Sequence, residues 1–285
     1  MAKRVLVGAH LSIAGGIEKS FAHAQAVDAS CFQIFTRSSR SWNAKLYSAA
    51  EITAFKQAQK ETGIDVVVAH APYLINLASV TPATRDGSVT LLTSELQRAQ
   101  SLGLQAVVLH PGAHGGDGED VGVERVARGL EQAFTHASGD TVVALETMAG
   151  QGTSLGSRLE SLKKIYDECS YRSRIQFCID TCHIYSAGYD ISSGLKFAAF
   201  LDEFDRVLGL GNLAVIHCND SQVPFDARVD RHAMLGKGSI PTEIFEVIMN
   251  DERLVHVPKI LETPAEKEGT TYGPEIALLR SLVRK

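Results

Sequence analysis

The sequence predicts an α/β fold, a (β/α)8 TIM barrel forming a single domain over residues 1–285. Three observations carry that prediction. Short β-type runs alternate with longer amphipathic stretches from one end of the chain to the other, with no long linker or low-complexity tract between them. The runs are near-continuous Val, Ile, Leu and Ala, as expected of parallel strands covered by helices. Six of them (VVVAH, AVVLH, VVALE, FCID, LAVIH and KILE) also close on a side chain able to bind a metal.

The strands are expected at Arg4–Val7, Cys31–Phe35, Asp65–Ala69, Gln105–Leu109, Thr141–Leu145, Ile175–Ile179, Leu213–Ile216 and Pro258–Leu261. Amphipathic segments fill the gaps at Gly15–Val27, Ala49–Thr62, Thr84–Leu102, Val121–Ala137, Leu159–Cys169, Leu195–Val207, Thr242–Met249 and Pro274–Val283. Proline suits the first turn of the last one, where a missing N–H costs nothing. A doubly wound open sheet explains the alternation equally well, but it gathers its site at one crevice and not at successive strand ends. The glycine-rich pieces GAHGGDG (112–118) and AGQGTSLG (149–156) lack the spacing of a dinucleotide turn or a Walker loop, and are read as ordinary loops.

Composition is that of a globular protein, 45% hydrophobic and 21% charged over 285 residues. A formal charge of −5 gives no global basic field, so a polyanion would need a local patch, backbone donors or bound cations to hold it. Five cysteines without paired spacing argue against a disulfide framework; Cys31, Cys178 and Cys218 lie in apolar strands as small core residues. The opening MAKRVLVGAH is too short in apolar residues for a signal peptide, and no stretch reaches the ~18 of a membrane span. A cytoplasmic, soluble protein without membrane contact is expected.

The six strand ends place His70, His110, Glu146, Asp180, His217 and Glu262 on one rim. Their spacings of 40, 36, 34, 37 and 45 residues each allow one βαβ step. DTCH adds His183 in the loop after Asp180, although the same motif also reads as a helix-capping aspartate beside an unrelated histidine. RVDRH adds Asp230 and His232, able to clasp one ion or simply to sit on a solvated loop. A zinc ion takes about four ligand positions, so these nine residues imply two or three ions with bridging carboxylates. Five imidazoles, four carboxylates and no thiolate suit zinc or manganese better than calcium or magnesium. Cys182 is read as a reduced loop cysteine; His10, at the end of the first strand, and His114, in HPGAH, are candidates for a site role.

Two loops bear on the substrate. TRSSRSWNAKLY (36–47) interleaves Arg37, Arg40 and Lys45 with Trp42 and Tyr47, a mixture that grips phosphate and stacks on bases, or else a solvated basic loop. APYLINL (71–77) sets Tyr73 and Leu74 beside His70, as an apolar wedge for a base stack or as a lid packed on the barrel.

Taken together, GAHLSIAGG (8–16), HAPYLINLA (70–78), HPGAH (110–114), LETMAGQG (145–152), CIDTCHIYSAGYD (178–190), HCNDS (217–221), RVDRHAMLGKG (228–238) and ILET (260–263) resemble the endonuclease IV family of metal-dependent apurinic/apyrimidinic endonucleases over essentially the whole chain. The resemblance implies hydrolysis of the phosphodiester bond 5′ to an abasic site in duplex DNA, leaving a 3′-hydroxyl and a 5′-deoxyribose phosphate. It implies three zinc ions, with manganese an alternative at one position. His70, His110 and Glu146 would hold the first; Glu146, Asp180, His217 and Glu262 the second; His183, Asp230 and His232 the third. Glu146 and Glu262 would be the catalytic carboxylates, and Arg40, Tyr73 and Leu74 would contact DNA. A monomer is expected. The chain departs from the family at Ser38, where asparagine is usual, and at Lys237, where glutamate is common and lysine would add a phosphate contact. The competing enzyme reading is a xylose-isomerase-like sugar isomerase or epimerase, which needs neither the Asp230/His232 clasp nor the wedge loops. A binding protein using zinc only structurally would be expected to carry thiolates.

Overall fold

The computed structural model describes residues 5–39, 41–42, 45–265 and 271–284. Its strands are β1 (Val7–Leu11), β2 (Cys31–Phe35), β3 (Val66–His70), β4 (Ala106–Leu109), β5 (Val142–Glu146), β6 (Ile175–Asp180) and β7 (Leu213–His217), then a small antiparallel pair, β8 (Asp220–Ser221) with β9 (His232–Ala233), and finally β10 (Lys259–Leu261). Eight of them pair in parallel and close into a barrel in the order β1-β10-β7-β6-β5-β4-β3-β2. The helices are α1 (Lys19–Ala26), α2 (Ala49–Thr62), α3 (Pro82–Leu102), α4 (Glu119–His136), α5 (Leu159–Glu168), α6 (Thr181–Ser186), α7 (Gly194–Leu208), α8 (Glu243–Asn250) and α9 (Tyr272–Ser281). The predicted barrel is therefore present.

Besides the β8–β9 pair, which no predicted strand covers, three elements differ from the sequence reading. The first strand starts at Val7 and runs on through GAHL instead of ending there, and Arg4 lies outside the described residues. Gly8 reads as a break, yet it sits opposite Cys31 so closely that an added Cβ would stand 1.7 Å from the Cys31 carbonyl oxygen. Glycine there permits the backbone approach that joins β1 to β2. The first helix begins at Lys19 and not at Gly15, because Gly15 and Gly16 take φ of 84° and 132°, outside helical space. The third difference is α6, a single short helix directly after β6 that apolar periodicity is too short to reveal.

The strand period of two builds the site. Cys31, Val68, Val108, Ala144, Cys178, Val215 and Ile260 pack together as a separate apolar cluster inside the barrel. Two residues further along each strand stand Gln33, His70, His110, Glu146, Asp180, His217 and Glu262, and two beyond Gly8 stands His10. The alternate residues, such as Phe32, Ala69, Leu109, Leu145, Ile179 and Ile216, point outward into the larger core beneath the helices. A dry apolar floor with polar side chains directly above it is thus a consequence of strand geometry alone.

At the other end of β10, Lys259 is fully buried and donates through Nζ to the Leu254 carbonyl. Burial depresses its amine from 10.5 to about 8. Because the folded state holds that proton less tightly than the unfolded chain, the cost is fully present below pH 8 and disappears as pH rises through the unfolded value. The shift corresponds to roughly 3 kcal/mol, partly offset by the hydrogen bond to Leu254. Lys259→Met should accordingly raise stability by about 1 kcal/mol or more at pH 7, and urea titrations of both proteins should show that gain shrinking towards pH 10.5.

Candidate metal centre

All nine predicted ligands converge at the C-terminal mouth of the barrel. Their donor atoms form groups within 4.8 Å of one another: His70, His110 and Glu146; Glu146, Asp180, His217 and Glu262; and His183, Asp230 and His232. Glu146 belongs to the first two, with Oε2 at 3.3 Å from His70 Nε2 and 3.1 Å from His110 Nε2, and Oε1 at 2.9 Å from His217 Nδ1. His70, Glu146, Asp180, His183 and His217 are buried, whereas His110, Asp230, His232 and Glu262 are half-buried towards the opening.

The first two groups stand on barrel strands, and the third is carried by excursions from them. His183 lies in α6 and not in a loop, and Asp180 caps that helix by accepting from the His183 N–H at 3.0 Å. The helix-capping reading of DTCH holds, and it leaves the second Asp180 oxygen with the candidate ligand group, where it accepts from Asn219 Nδ2 at 2.7 Å. Asp230 and His232 come from the β8–β9 hairpin. Its base is pinned by buried Asp220, whose carboxylate accepts from the backbone N–H groups of Ser221, Gly236, Gly238 and Ile240.

Backbone carbonyls set most of the rings. His70 Nδ1 lies 2.7 Å from the Ala71 carbonyl, His183 Nδ1 2.7 Å from that of Thr147 and His232 Nδ1 3.1 Å from that of Glu262, which leaves each Nε2 as the free acceptor. His183 Nε2 and His232 Nε2 each stand 3.2 Å from one Asp230 oxygen, and both nitrogens are buried without a hydrogen bond. A buried imidazole nitrogen facing a carboxylate oxygen is completed by a proton or by a divalent cation, and a set of imidazoles and carboxylates matches zinc or manganese.

The charge balance agrees. Burial alone would push the Glu146 carboxyl upward, but His217 and His110 outweigh it and hold the group well below the usual carboxylate range. Asp230 is likewise drawn down to about 2 against burial by His183, and His183 is raised to about 10 against burial by Asp180 and Asp230. The carboxylates therefore concentrate negative charge that only cations or imidazolium protons can balance. Two thiols lie near these groups, Cys178 by Glu146 and His217 and Cys182 by Asp180 and His232. Burial pushes both up to about 12, so they remain protonated, and Cys182 Sγ donates to the Arg231 carbonyl.

His10 joins the rim, with Nδ1 at 3.0 Å from Glu262 Oε1. His114 does not reach the metal groups; its Nδ1 accepts from the Gly116 and Gly118 N–H groups and shapes its own loop. Sequence reasoning missed Gln33, fully buried and bonded to His217 and Glu262. A polar residue of the same parity as the ligands, within the apolar run CFQIF, was the available signal.

Of the residues expected on DNA, Tyr73 is 63% exposed, and its ring stands over His70 and His110 at 5.5 and 5.4 Å. Leu74 is half-buried and packs against the core. Arg40 lies outside the described residues. The phosphate-gripping reading of its loop is corrected at Arg37 and Tyr47. Arg37 is buried against Glu95 of α3, which also binds Arg98, and the Tyr47 hydroxyl donates to the Thr36 carbonyl. Glu95 and the Ser41 carbonyl hold the Arg37 guanidinium, which ties this side chain to the shape of the loop. Trp42 is half-exposed beside α3, where a Cβ on Gly87 would stand 3.2 Å from its ring.

Fold and site together define a TIM barrel with clustered candidate metal ligands at its mouth, and residues 21–282 match the family model of xylose isomerase-like TIM barrels. A probable endonuclease 4 of Chloroflexus aggregans is 44% identical over 278 residues, covering 97% of both chains. The crystal structure of endonuclease IV from Thermus thermophilus superposes with a TM-score of 0.86 at 35% identity, over 97% of this chain and 98% of that one. A D-tagatose 3-epimerase-like protein, at 18% identity and a TM-score of 0.72 over 98% of each chain, shares the barrel alone. The chain belongs to the endonuclease IV family.

Asp230 offers one oxygen to each histidine of the third group and none to the other two groups. Asp230→Asn should therefore lower tightly bound divalent metal by one ion per chain relative to the unaltered protein. Metal analysis after desalting checks this; an unchanged ratio would remove the third group as an ion site.

Proposed function

We propose that this protein is a DNA-repair endonuclease that hydrolyses the phosphodiester bond 5′ to abasic sites in duplex DNA, leaving a 3′-hydroxyl and a 5′-deoxyribose phosphate. The carrying observation is the set of three neighbouring ligand groups, the first two joined at Glu146, beneath an exposed tyrosine. Three zinc ions fit those groups, with manganese an alternative at one. Bound there, they would supply Lewis acidity to the scissile phosphate and allow water to ionise near neutral pH, at about 7.

The chain's own residues do the rest. Glu146 and Glu262 are the catalytic carboxylates; both are held ionised, Glu146 as the carboxylate shared by two ligand groups and Glu262, half-buried towards the opening, as the one able to accept from and orient the attacking water. Glu262 Oε1 is occupied by Gln33, while Oε2 lies 3.2 Å from His217 Nδ1, facing the ligand group. The apolar floor beneath excludes bulk water and strengthens every charge interaction above it. Tyr73 is placed to enter the gap in a base stack at a missing base, with Leu74 bracing it from the core side. Turning an abasic sugar out of the helix costs less than flipping a paired nucleotide, which favours lesion over intact DNA. Arg40 is assigned to DNA by the family resemblance. We place the enzyme in the cytoplasm as a monomer; its five buried, unpaired cysteines support a reducing compartment.

A duplex with one abasic analogue provides the test. Chelator-treated protein should not nick it and added zinc should restore nicking; full activity in metal-free protein would overturn the proposal. Glu262→Gln should lower kcat by roughly 10²–10⁴. Tyr73→Ala removes stacking that contributes ~1–3 kcal/mol, so it should raise KM about tenfold or more and change kcat little, as read from initial rates against substrate concentration.

A further inference from the structure

The five imidazoles of the metal centre are not oriented alike. His70, His183 and His232 each present Nδ1 to a backbone carbonyl, which only accepts, so the proton sits on Nδ1 and Nε2 faces the ligand group. His217 is turned the other way. Its Nδ1 faces Glu146 Oε1 at 2.9 Å and Glu262 Oε2 at 3.2 Å, and its Nε2 lies 2.9 Å from Gln33 Oε1.

The Gln33 amide has one workable orientation. Its Nε2 is 2.6 Å from Glu262 Oε1, an ionised acceptor, and 3.0 Å from His10 Nδ1. Flipping the amide would press its oxygen against that carboxylate and turn its NH2 towards His217. With Oε1 fixed towards His217, the imidazole must donate from Nε2, and its Nδ1 lone pair is left for the ligand group. Gln33 is fully buried, so no solvent molecule stands ready to take over either bond.

We infer that Gln33 is a positioning residue for the metal position formed by Glu146, Asp180, His217 and Glu262: it sets the His217 tautomer and holds Glu262 at the same time. The backbone carbonyls behind His70, His183 and His232 cannot be lost by a side-chain substitution, whereas this one support can. The inference rests on the proposal that these groups hold metal ions, and it predicts a selective defect at one position.

Two measurements on the zinc-loaded protein test it. Long-range ¹H–¹⁵N spectra should show His217 as the Nε2–H tautomer and His70, His183 and His232 as Nδ1–H; an Nδ1–H signature for His217 would overturn the inference. In Gln33→Leu, one ion should pass to excess chelator about 10–100-fold faster than from the unaltered protein, the others at unaltered rates. Gln33→Glu keeps an acceptor for His217 but sets a carboxylate against Glu262; it should retain the Nε2–H tautomer while also releasing that ion faster. Unaltered release from both variants, or equal acceleration at every position, would overturn the assignment. Should Gln33→Leu fail to fold, the tautomer spectra and Gln33→Glu still decide. A metal content other than three in the unaltered protein would count against the trinuclear proposal, while the tautomer of His217 would still test Gln33.

Discussion

The centre depends on a carboxylate that water cannot reach. Glu146 has no solvent exposure, yet four imidazoles lie within 3.4 Å of its oxygens. An ionised carboxylate in such a place costs several kcal/mol unless positive charge stands beside it. Histidine protons or bound cations must supply that charge, and the surrounding architecture holds their donors in place. The inward parity of the strands brings up three of the histidines and α6 the fourth, backbone carbonyls fix the rings of His70 and His183, and the apolar floor keeps the dielectric low.

This explains why the sequence was so legible at the rim. Histidine, aspartate and glutamate are rare at the ends of buried apolar strands, so each occurrence in VVVAH, AVVLH, VVALE, FCID, LAVIH and KILE carried information about one face of one fold. What escaped detection escaped for physical reasons. Gln33 is not a ligand type, and its meaning comes from contacts with His217 and Glu262, 184 and 229 residues away. Gly8 resembles a strand end until the β2 carbonyl that it accommodates is known. α6 spans six residues, too few to show a helical period.

Arg37 illustrates the opposite error. Arginine among serines, near a tryptophan and a tyrosine, has the composition of a phosphate clamp. The buried Glu95 that claims it lies in a distant helix that composition cannot connect to the loop. Arg98 binds the same carboxylate, donates to Thr36 Oγ1 and reaches the Lys45 carbonyl, so two cations on one anion fasten both ends of the segment to α3. Arg37 therefore serves the shape of its loop, whereas Tyr73 stands exposed over the histidines.

The two kinds of scaffolding at the rim differ in what disturbs them. Two ligand groups stand on strands whose loss would unfold the barrel, but the third joins His183 of α6 to Asp230 and His232 of a hairpin whose base is gathered by one aspartate, Asp220, through four backbone amides. Local unfolding of that hairpin would leave the sheet intact, so the third group can open while the other two stay assembled. The centre is thus separable into a rigid pair and a hinged member. With the proposed ions bound, exchange would begin at that third group.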